Sequence, residues 1–126
     1  MVGIVVVSHS QKLAEGVVDL ASLMAPEVPM RAAGGMDDGG FGTSFEKIMN
    51  AVDEVYSDDG VLVFMDLGSA VMTTEMVLEA MEDRNIKMVD CPVVEGAIAA
   101  AVVAAGGSPM AEVIQVAQAA KETSKF

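Results

Sequence analysis

VGIVVV, residues 2–7, is a continuous apolar run in which four of the six residues are β-branched valines and a fifth is Ile4. Such a run reads as a strand buried on both faces, the habit of parallel sheets. Ser8-His9-Ser10 ends it. Leu13, Val17, Leu20 and Met24 then fall at helical spacing, with Ser10 as a candidate N-cap and Pro26 as the stop. Residues 28–33 form a second, shorter strand candidate interrupted by Pro29. GGMDDGGFG, residues 34–42, is a loop on composition. Thr43 or Ser44 caps the next helix, and Thr43 with Glu46 fits a capping box. The apolar stripe of that helix is Phe45, Ile48, Met49, Val52 and Val55.

The same alternation continues. Residues 57–60 (SDDG) turn, residues 61–65 (VLVFM) form a third apolar strand, and residues 66–69 (DLGS) close it. A helix is predicted over 70–81 and a fourth strand over 86–89, broken by Asp90-Cys91-Pro92. Residues 97–105 form a small-residue helix ended by Gly106-Gly107, and a last helix runs from about Pro109 to Ala120. The order β-α-β-α-β-α-β-α-α implies an α/β fold, a three-layer sandwich around a mostly parallel sheet with right-handed crossovers. Chemistry in such sheets gathers at the carboxyl ends of the strands. Ser8-His9-Ser10, the glycine loop and residues 66–69 all follow strands, so they are predicted to share one edge.

Bulk properties narrow the function. The chain has 126 residues, 52% of them hydrophobic, which fits one domain spanning 1–126. A lone cysteine, Cys91, allows no internal disulfide. Residues 2–7 lack the basic flank of a secretory leader, and 97–105 is about half the roughly 20 residues of a membrane span. A soluble, reducing, cytoplasmic setting is expected. A net charge of −12 disfavours nucleic acid and anionic membranes, where Lys and Arg must meet phosphate. It favours basic protein partners with salt-sensitive encounter, although solubility alone also accounts for it.

His9 is the only histidine and stands at the predicted active edge. An imidazole serves as base, metal ligand or nucleophile. With no second histidine, no metal site is expected. No G-x-S-x-G elbow supports a serine hydrolase. A phosphohistidine carrier needs one histidine, a group holding its other ring nitrogen, and donors for phosphoryl oxygens. Asp66 is the candidate for the first task. Thr43, Ser69 and N–H groups of the glycine loop are candidates for the second. The plainer alternative is an ordinary strand-end histidine. The glycine loop fits neither nucleotide motif: Phe41 stands where a Walker lysine belongs, and Phe45 where the third dinucleotide-loop glycine belongs. The chain is therefore expected to hold no cofactor of its own, and the loop is either a connector or an anion contact.

The remaining candidates read as structure. Asp37-Asp38 and Asp58-Asp59 suit solvated turns. Cys91, in apolar surroundings, is expected to be inert. Most methionines are core, with Met65 or Met72 able to line a partner surface. Residues 97–105 are apolar all round, hence either fully buried or facing a second subunit.

Residues 5–10 (VVVSHS), Gly34-Gly35, Gly42-Thr43-Ser44, residues 66–70 (DLGSA) and residues 94–97 (VEGA) together resemble the DhaM family. These are the phosphotransfer subunits of phosphoenolpyruvate-dependent dihydroxyacetone kinase, related to mannose-type enzyme IIA domains. The resemblance covers essentially the whole chain. It implies an enzyme IIA-like fold, phosphorylation of His9 at Nε2, support of the ring by Asp66, and a phosphoryl contact from Thr43. Ser10, Gly42 and Ser69 join these as phosphoryl-contacting candidates. It further implies HPr as donor, ADP held by DhaL as acceptor, dihydroxyacetone on DhaK as the final recipient, and a homodimer. Some relatives carry attached HPr-like and enzyme I-like domains; this sequence ends after the first domain, so free HPr is the expected donor. Leu67-Gly68-Ser69-Ala70 stands where mannose-type enzyme IIA domains have Gly-Gly-Ser-Pro, which favours the dihydroxyacetone branch. A sugar-transporting enzyme IIA domain and a non-catalytic α/β interaction module are the alternatives.

Overall fold

The structure is a computed structural model describing residues 1–126. In chain order it contains β1 (Gly3–Ser8), α1 (Gln11–Met24), β2 (Met30–Gly34), α2 (Phe45–Val55), β3 (Val61–Met65), α3 (Gly68–Ala80), β4 (Ile86–Met88), α4 (Val93–Ala105) and α5 (Met110–Ala119), with a 3₁₀ turn at Ala120–Glu122. The strands form one sheet in the order β2-β1-β3-β4, and every pair is parallel. The predicted α/β sandwich is thus present, with a sheet that is wholly rather than mostly parallel.

The layers follow from strand alternation, because successive side chains point to opposite faces. Val2, Ile4, Val6, Leu62 and Phe64 pack with the inner residues of α1, α4 and α5. Val5, Val7, Val61 and Val63 pack with Ile48, Ala51, Val52 and Val55 of α2 and with Ala70 and Val77 of α3. All six residues of β1 are buried, as a central strand covered on both faces requires. Register then levels the strand ends. Val7 pairs with Met65 and Ser8 with Gly34, so His9, Asp66 and the start of the glycine loop emerge side by side. The chain leaves β1 toward β2 on one side and later returns to β3 on the other, which makes the β1/β3 boundary the topological switch point.

Several boundaries differ from the sequence expectation, each for a physical reason. β2 begins at Met30, because Pro29 has no N–H to give; its carbonyl still accepts from the N–H of Ile4 at 2.9 Å. Ser44, not Thr43, caps α2, its hydroxyl accepting from Lys47 N–H at 3.2 Å. The Thr43–Glu46 capping box is absent because the Thr43 hydroxyl turns to Thr73 instead. α3 starts at Gly68 rather than 70, and α4 starts at Val93, directly after Pro92, rather than at 97. Of the two readings of residues 97–105, burial holds for one face: Ala97, Ala100, Ala101 and Ala104 are enclosed by the chain's own core. Val94 and Val102 on the same helix are exposed.

Candidate active site

The site forms where β1 and β3 end. Asp66, the residue after β3, turns both carboxylate oxygens toward the end of β1. Oδ2 accepts from the Ser8 hydroxyl at 2.8 Å and from the His9 backbone N–H at 3.0 Å. Oδ1 accepts from the Leu67 N–H at 2.7 Å and faces His9 Nδ1 at 3.0 Å. Four partners fill the roughly four lone-pair positions a carboxylate offers. Burial of Asp66 opposes its ionisation, but the Ser8 hydroxyl, the His9 N–H, the His9 ring and the Leu67 N–H outweigh it. The carboxyl group consequently lies below the ordinary aspartate range.

An ionised Asp66 accepts and cannot donate, so His9 Nδ1 carries the proton of the neutral ring. Nε2 then carries the lone pair. It faces the Ser69 hydroxyl on the first turn of α3, which donates to it. The His9 side chain is 24% exposed, so its outer edge is open to a docking macromolecule while its inner edge is held.

The glycine loop is a built structure rather than a slack connector. The Gly35 N–H donates to the Ser8 carbonyl at 3.0 Å, and the Gly42 N–H donates to the His9 carbonyl at 2.9 Å. Gly42 has φ +139°, a conformation that L side chains rarely adopt. Lys47 Nζ donates to the carbonyls of Gly34 and Met36, each at 3.1 Å, and so ties the loop to α2. Gly34 packs against α1, where an added Cβ would come within 2.6 Å of the Ser10 carbonyl oxygen. Asp38 accepts from the Gly40 N–H at 2.8 Å inside an exposed turn, which fits the reading of Asp37-Asp38 as solvated.

The structure therefore brings together His9, Asp66 and Ser69 in direct contact. Thr43 joins them one step removed, through Thr73: the two threonine hydroxyls lie 2.8 Å apart, and Thr73 also donates to the Ser69 carbonyl at 3.3 Å. Ser10 and Gly42 have other engagements. The Ser10 hydroxyl caps α1 by accepting from the Leu13 N–H at 3.2 Å, and the Gly42 N–H is held by the His9 carbonyl. Sequence reasoning missed Ser8, Lys47 and Thr73. Ser8 is fully buried, donates to Asp66 and accepts from the Ser10 N–H at 3.0 Å. Its signal was a polar residue closing an otherwise apolar strand, directly before the histidine.

Exposed apolar side chains on the same loop and helix are Phe41 (85% exposed), Leu67, and Met72 and Met76 one turn apart on α3. Met72 is exposed, whereas Met65 is only partly exposed. Cys91 lines an open cavity of about 430 Å³ beside Asp66, between the ends of β3 and β4. Burial, reinforced by the neighbouring Asp90 carboxylate, pushes its thiol up to about 11, so it stays protonated and unreactive at neutral pH. No helix is long and apolar enough to cross a membrane.

Comparison with known proteins places the chain in a family. Residues 3–120 match the EIIA-man family, described as the fructose IIA component of the phosphotransferase system. The chain is 40% identical over 106 residues to the phosphotransferase subunit DhaM of the dihydroxyacetone kinase of Lactococcus lactis, covering 84% of this chain and 85% of that one. It is 39% identical over 132 residues to the phosphoryl donor subunit DhaM of Escherichia coli, covering 99% of this chain but 28% of that longer protein. Among solved structures it is similar to EF1359, a protein of unknown function, with a TM-score of 0.85, 29% identity, and coverage of 100% and 99% of the two chains. A 96% stretch of it also superposes on 25% of the dihydroxyacetone kinase of C. freundii, with a TM-score of 0.71 and 18% identity, a likeness of fold alone. With a matched family model over nearly all its length and DhaM relatives across most of it, the chain belongs to the EIIA-man family, in its DhaM branch.

Proposed function

We propose that this chain is the phosphoryl-donor subunit of a phosphoenolpyruvate-dependent dihydroxyacetone kinase, carrying the group on His9. The observation that carries the reading is the Asp66–His9 pair. An ionised carboxylate holds the proton on Nδ1 and leaves a lone pair on Nε2 at an open edge. Phospho-HPr is the donor: its N–P bond breaks as the Nε2 lone pair forms a new N–P bond, and the HPr imidazole leaves with its electron pair. In the second step a β-phosphate oxygen of ADP on DhaL attacks phosphorus, the His9 N–P bond breaks, and ATP forms for dihydroxyacetone held by DhaK. Phosphoryl transfer asks chiefly for positioning and charge stabilisation, which a held imidazole with nearby hydroxyls supplies.

Ser69 and Thr43 are the side chains that donate to phosphoryl oxygens. Ser69 turns its proton from Nε2 to an oxygen once Nε2 is occupied. Ser10 and Gly42 act by holding the N-terminus of α1 and the His9 carbonyl. Asp66 gains strength as partner, because it faces the cationic ring formed when Nε2 bonds phosphorus. The names of the relatives favour the dihydroxyacetone branch over a sugar-transporting enzyme IIA domain or a non-catalytic module. The chain works as one phosphocarrier domain in the cytoplasm and as a homodimer. The exposed Leu13, Leu20, Leu23 and Met24 of α1, with Val94 and Val102 of α4, favour the dimer as apolar surface left uncovered by the fold.

Intact-mass spectrometry after incubation with phosphoenolpyruvate, enzyme I and HPr tests the proposal. One acid-labile phosphoryl adduct that requires HPr and disappears in His9→Ala is expected. Absence of an adduct under conditions that phosphorylate HPr overturns it. Discharge of the adduct by DhaL with ADP, and not by an enzyme IIB, identifies the branch.

A further inference from the structure

We infer that Thr73 is a positioning residue for phosphoryl transfer, whose hydroxyl switches the Thr43 proton between a resting and a loaded arrangement. The inference rests on the reading of His9 as phosphoryl acceptor and adds a residue to that site. Thr73 lies one helical turn after Ser69 on α3, so both project from the same face. Ser69 touches Nε2, and Thr73 touches both the Ser69 carbonyl and the Thr43 hydroxyl. Thr73 therefore joins the end of the glycine loop to the helix turn that meets the reactive nitrogen.

Each hydroxyl owns one proton and accepts others. In the resting site Thr73 gives its proton to the Ser69 carbonyl, and Thr43 gives its own to Thr73. The first of these bonds is long, at 3.3 Å, whereas the threonine pair is close, at 2.8 Å. The long bond is the weaker one. When a phosphoryl group occupies Nε2, it brings three strong acceptor oxygens. Thr73 then rotates its proton to the Thr43 oxygen, and the Thr43 proton turns to a phosphoryl oxygen. Only the 3.3 Å bond is given up, and a charge-assisted bond replaces it. Thr43 is free for this task because Ser44 caps α2. Thr73 is the side chain its hydroxyl meets.

The test uses the full chain with phosphoenolpyruvate, enzyme I and HPr, following the rate of adduct formation and the lifetime of the isolated adduct. Thr73→Val removes the hydroxyl at nearly constant volume and is expected to slow adduct formation about 5-fold to 10-fold, because the Thr43 oxygen, without the Thr73 donor, no longer holds its own proton toward the phosphoryl oxygen. Thr73→Ser is expected to stay within about 2-fold of the parent chain, since it keeps the hydroxyl. The double variant Thr43→Val with Thr73→Val is expected to be no slower than Thr43→Val alone, because both act through one proton. A Thr73→Val rate equal to that of the parent, or additive losses in the double variant, overturns the inference while leaving the carrier reading intact. If Thr73→Val does not fold, Thr73→Ala carries the same expectations. Failure of the unsubstituted chain to form any adduct appears before any substitution is made, and overturns the carrier reading and this inference together.

Discussion

Nδ1 of His9 lies 3.0 Å from Oδ1 of Asp66, and that same Asp66 oxygen accepts the Leu67 N–H at 2.7 Å. One oxygen thus reads the ring of the residue after β1 while being aimed by the backbone that opens α3. The other oxygen is held by Ser8 and by the His9 backbone. The carboxylate is tied to both strands of the switch point, which fixes the ring, its tautomer and the direction of its lone pair in one arrangement.

Asp66→Asn separates ring orientation from ring presence. The amide can still lie against Nδ1, but its NH2 group can favour the tautomer with the proton on Nε2. His9 stays in place and loses its available lone pair. Phosphorylation is expected to slow by about 10- to 100-fold, the range typical when a group orienting an imidazole is lost. Stopped adduct formation followed by mass spectrometry measures it; a rate equal to that of the parent chain removes Asp66 from the mechanism.

Ser8→Ala takes a fully buried hydroxyl from between Asp66 and the Ser10 N–H. A loss of about 1–3 kcal/mol is expected at pH 7, the effect of unpairing a buried polar group. The sign with pH follows from Asp66, whose carboxyl is depressed in the folded chain. Such a group contributes stability above the unfolded aspartate value of about 3.9, and this contribution disappears as pH falls through the lower folded value. Removing Ser8 raises the folded value toward the unfolded one. Urea unfolding at pH 7 and pH 3 should show the gap between parent and variant narrowing at pH 3; an unchanged gap would separate Ser8 from the ionisation of Asp66.

Gly34→Ala tests the contact between β2 and α1. A Cβ there would lie 2.6 Å from the Ser10 carbonyl oxygen and 2.7 Å from the Gln11 Cα. Backbone atoms cannot rotate aside, so α1 must shift. We expect destabilisation of about 1–3 kcal/mol, the usual effect of overpacking, read by chemical denaturation. The residue before α1 is His9's neighbour Ser10, so adduct formation should slow as well.

Lys47→Met keeps an unbranched side chain one atom shorter and removes the charge that holds the Gly34 and Met36 carbonyls. Hydrogen exchange at the Gly35 and Gly42 amides should quicken, while amides of β1 stay protected. Equal protection in parent and variant would show that the two backbone bonds to Ser8 and His9 hold the loop unaided.

Cys91 is expected to react slowly with iodoacetamide at pH 7.5, because burial keeps its thiol protonated up to about 11. A free thiol ionises near 8.5 in the unfolded chain. The raised folded value therefore adds stability that is fully present below about pH 8.5 and is lost as pH rises to about 11. Alkylation at the rate of a free thiol would contradict the burial of this side chain.

Much of this was legible from residue order. The valine-rich run of β1 and the VLVFM run of β3 are apolar throughout because both faces of a central strand are covered, and that pattern is local. Their polar ends marked His9 and Asp66, and parallel topology placed them on one edge. The sequence predicts α4 four residues short, since Pro92 is a good helix start that reads equally well as a break. Of the two cap candidates, Thr43 and Ser44, the spacing to Glu46 points to Thr43, but the partner its hydroxyl meets, Thr73, lies 30 residues away and Ser44 caps the helix.

The sequence by itself determined the α/β alternation and a mostly parallel sheet, and it marked His9 and Asp66 as strand-end candidates. Each follows from short-range patterns: runs of apolar residues, breakers, and the one histidine. Only the tertiary structure decided which hydroxyls serve that pair. Ser8 and Ser10 flank His9 alike in sequence, yet one reaches Asp66 and the other caps α1. A hydroxyl bonds whatever acceptor or donor the fold brings within about 3 Å, and register between distant strands, not local spacing, sets that distance.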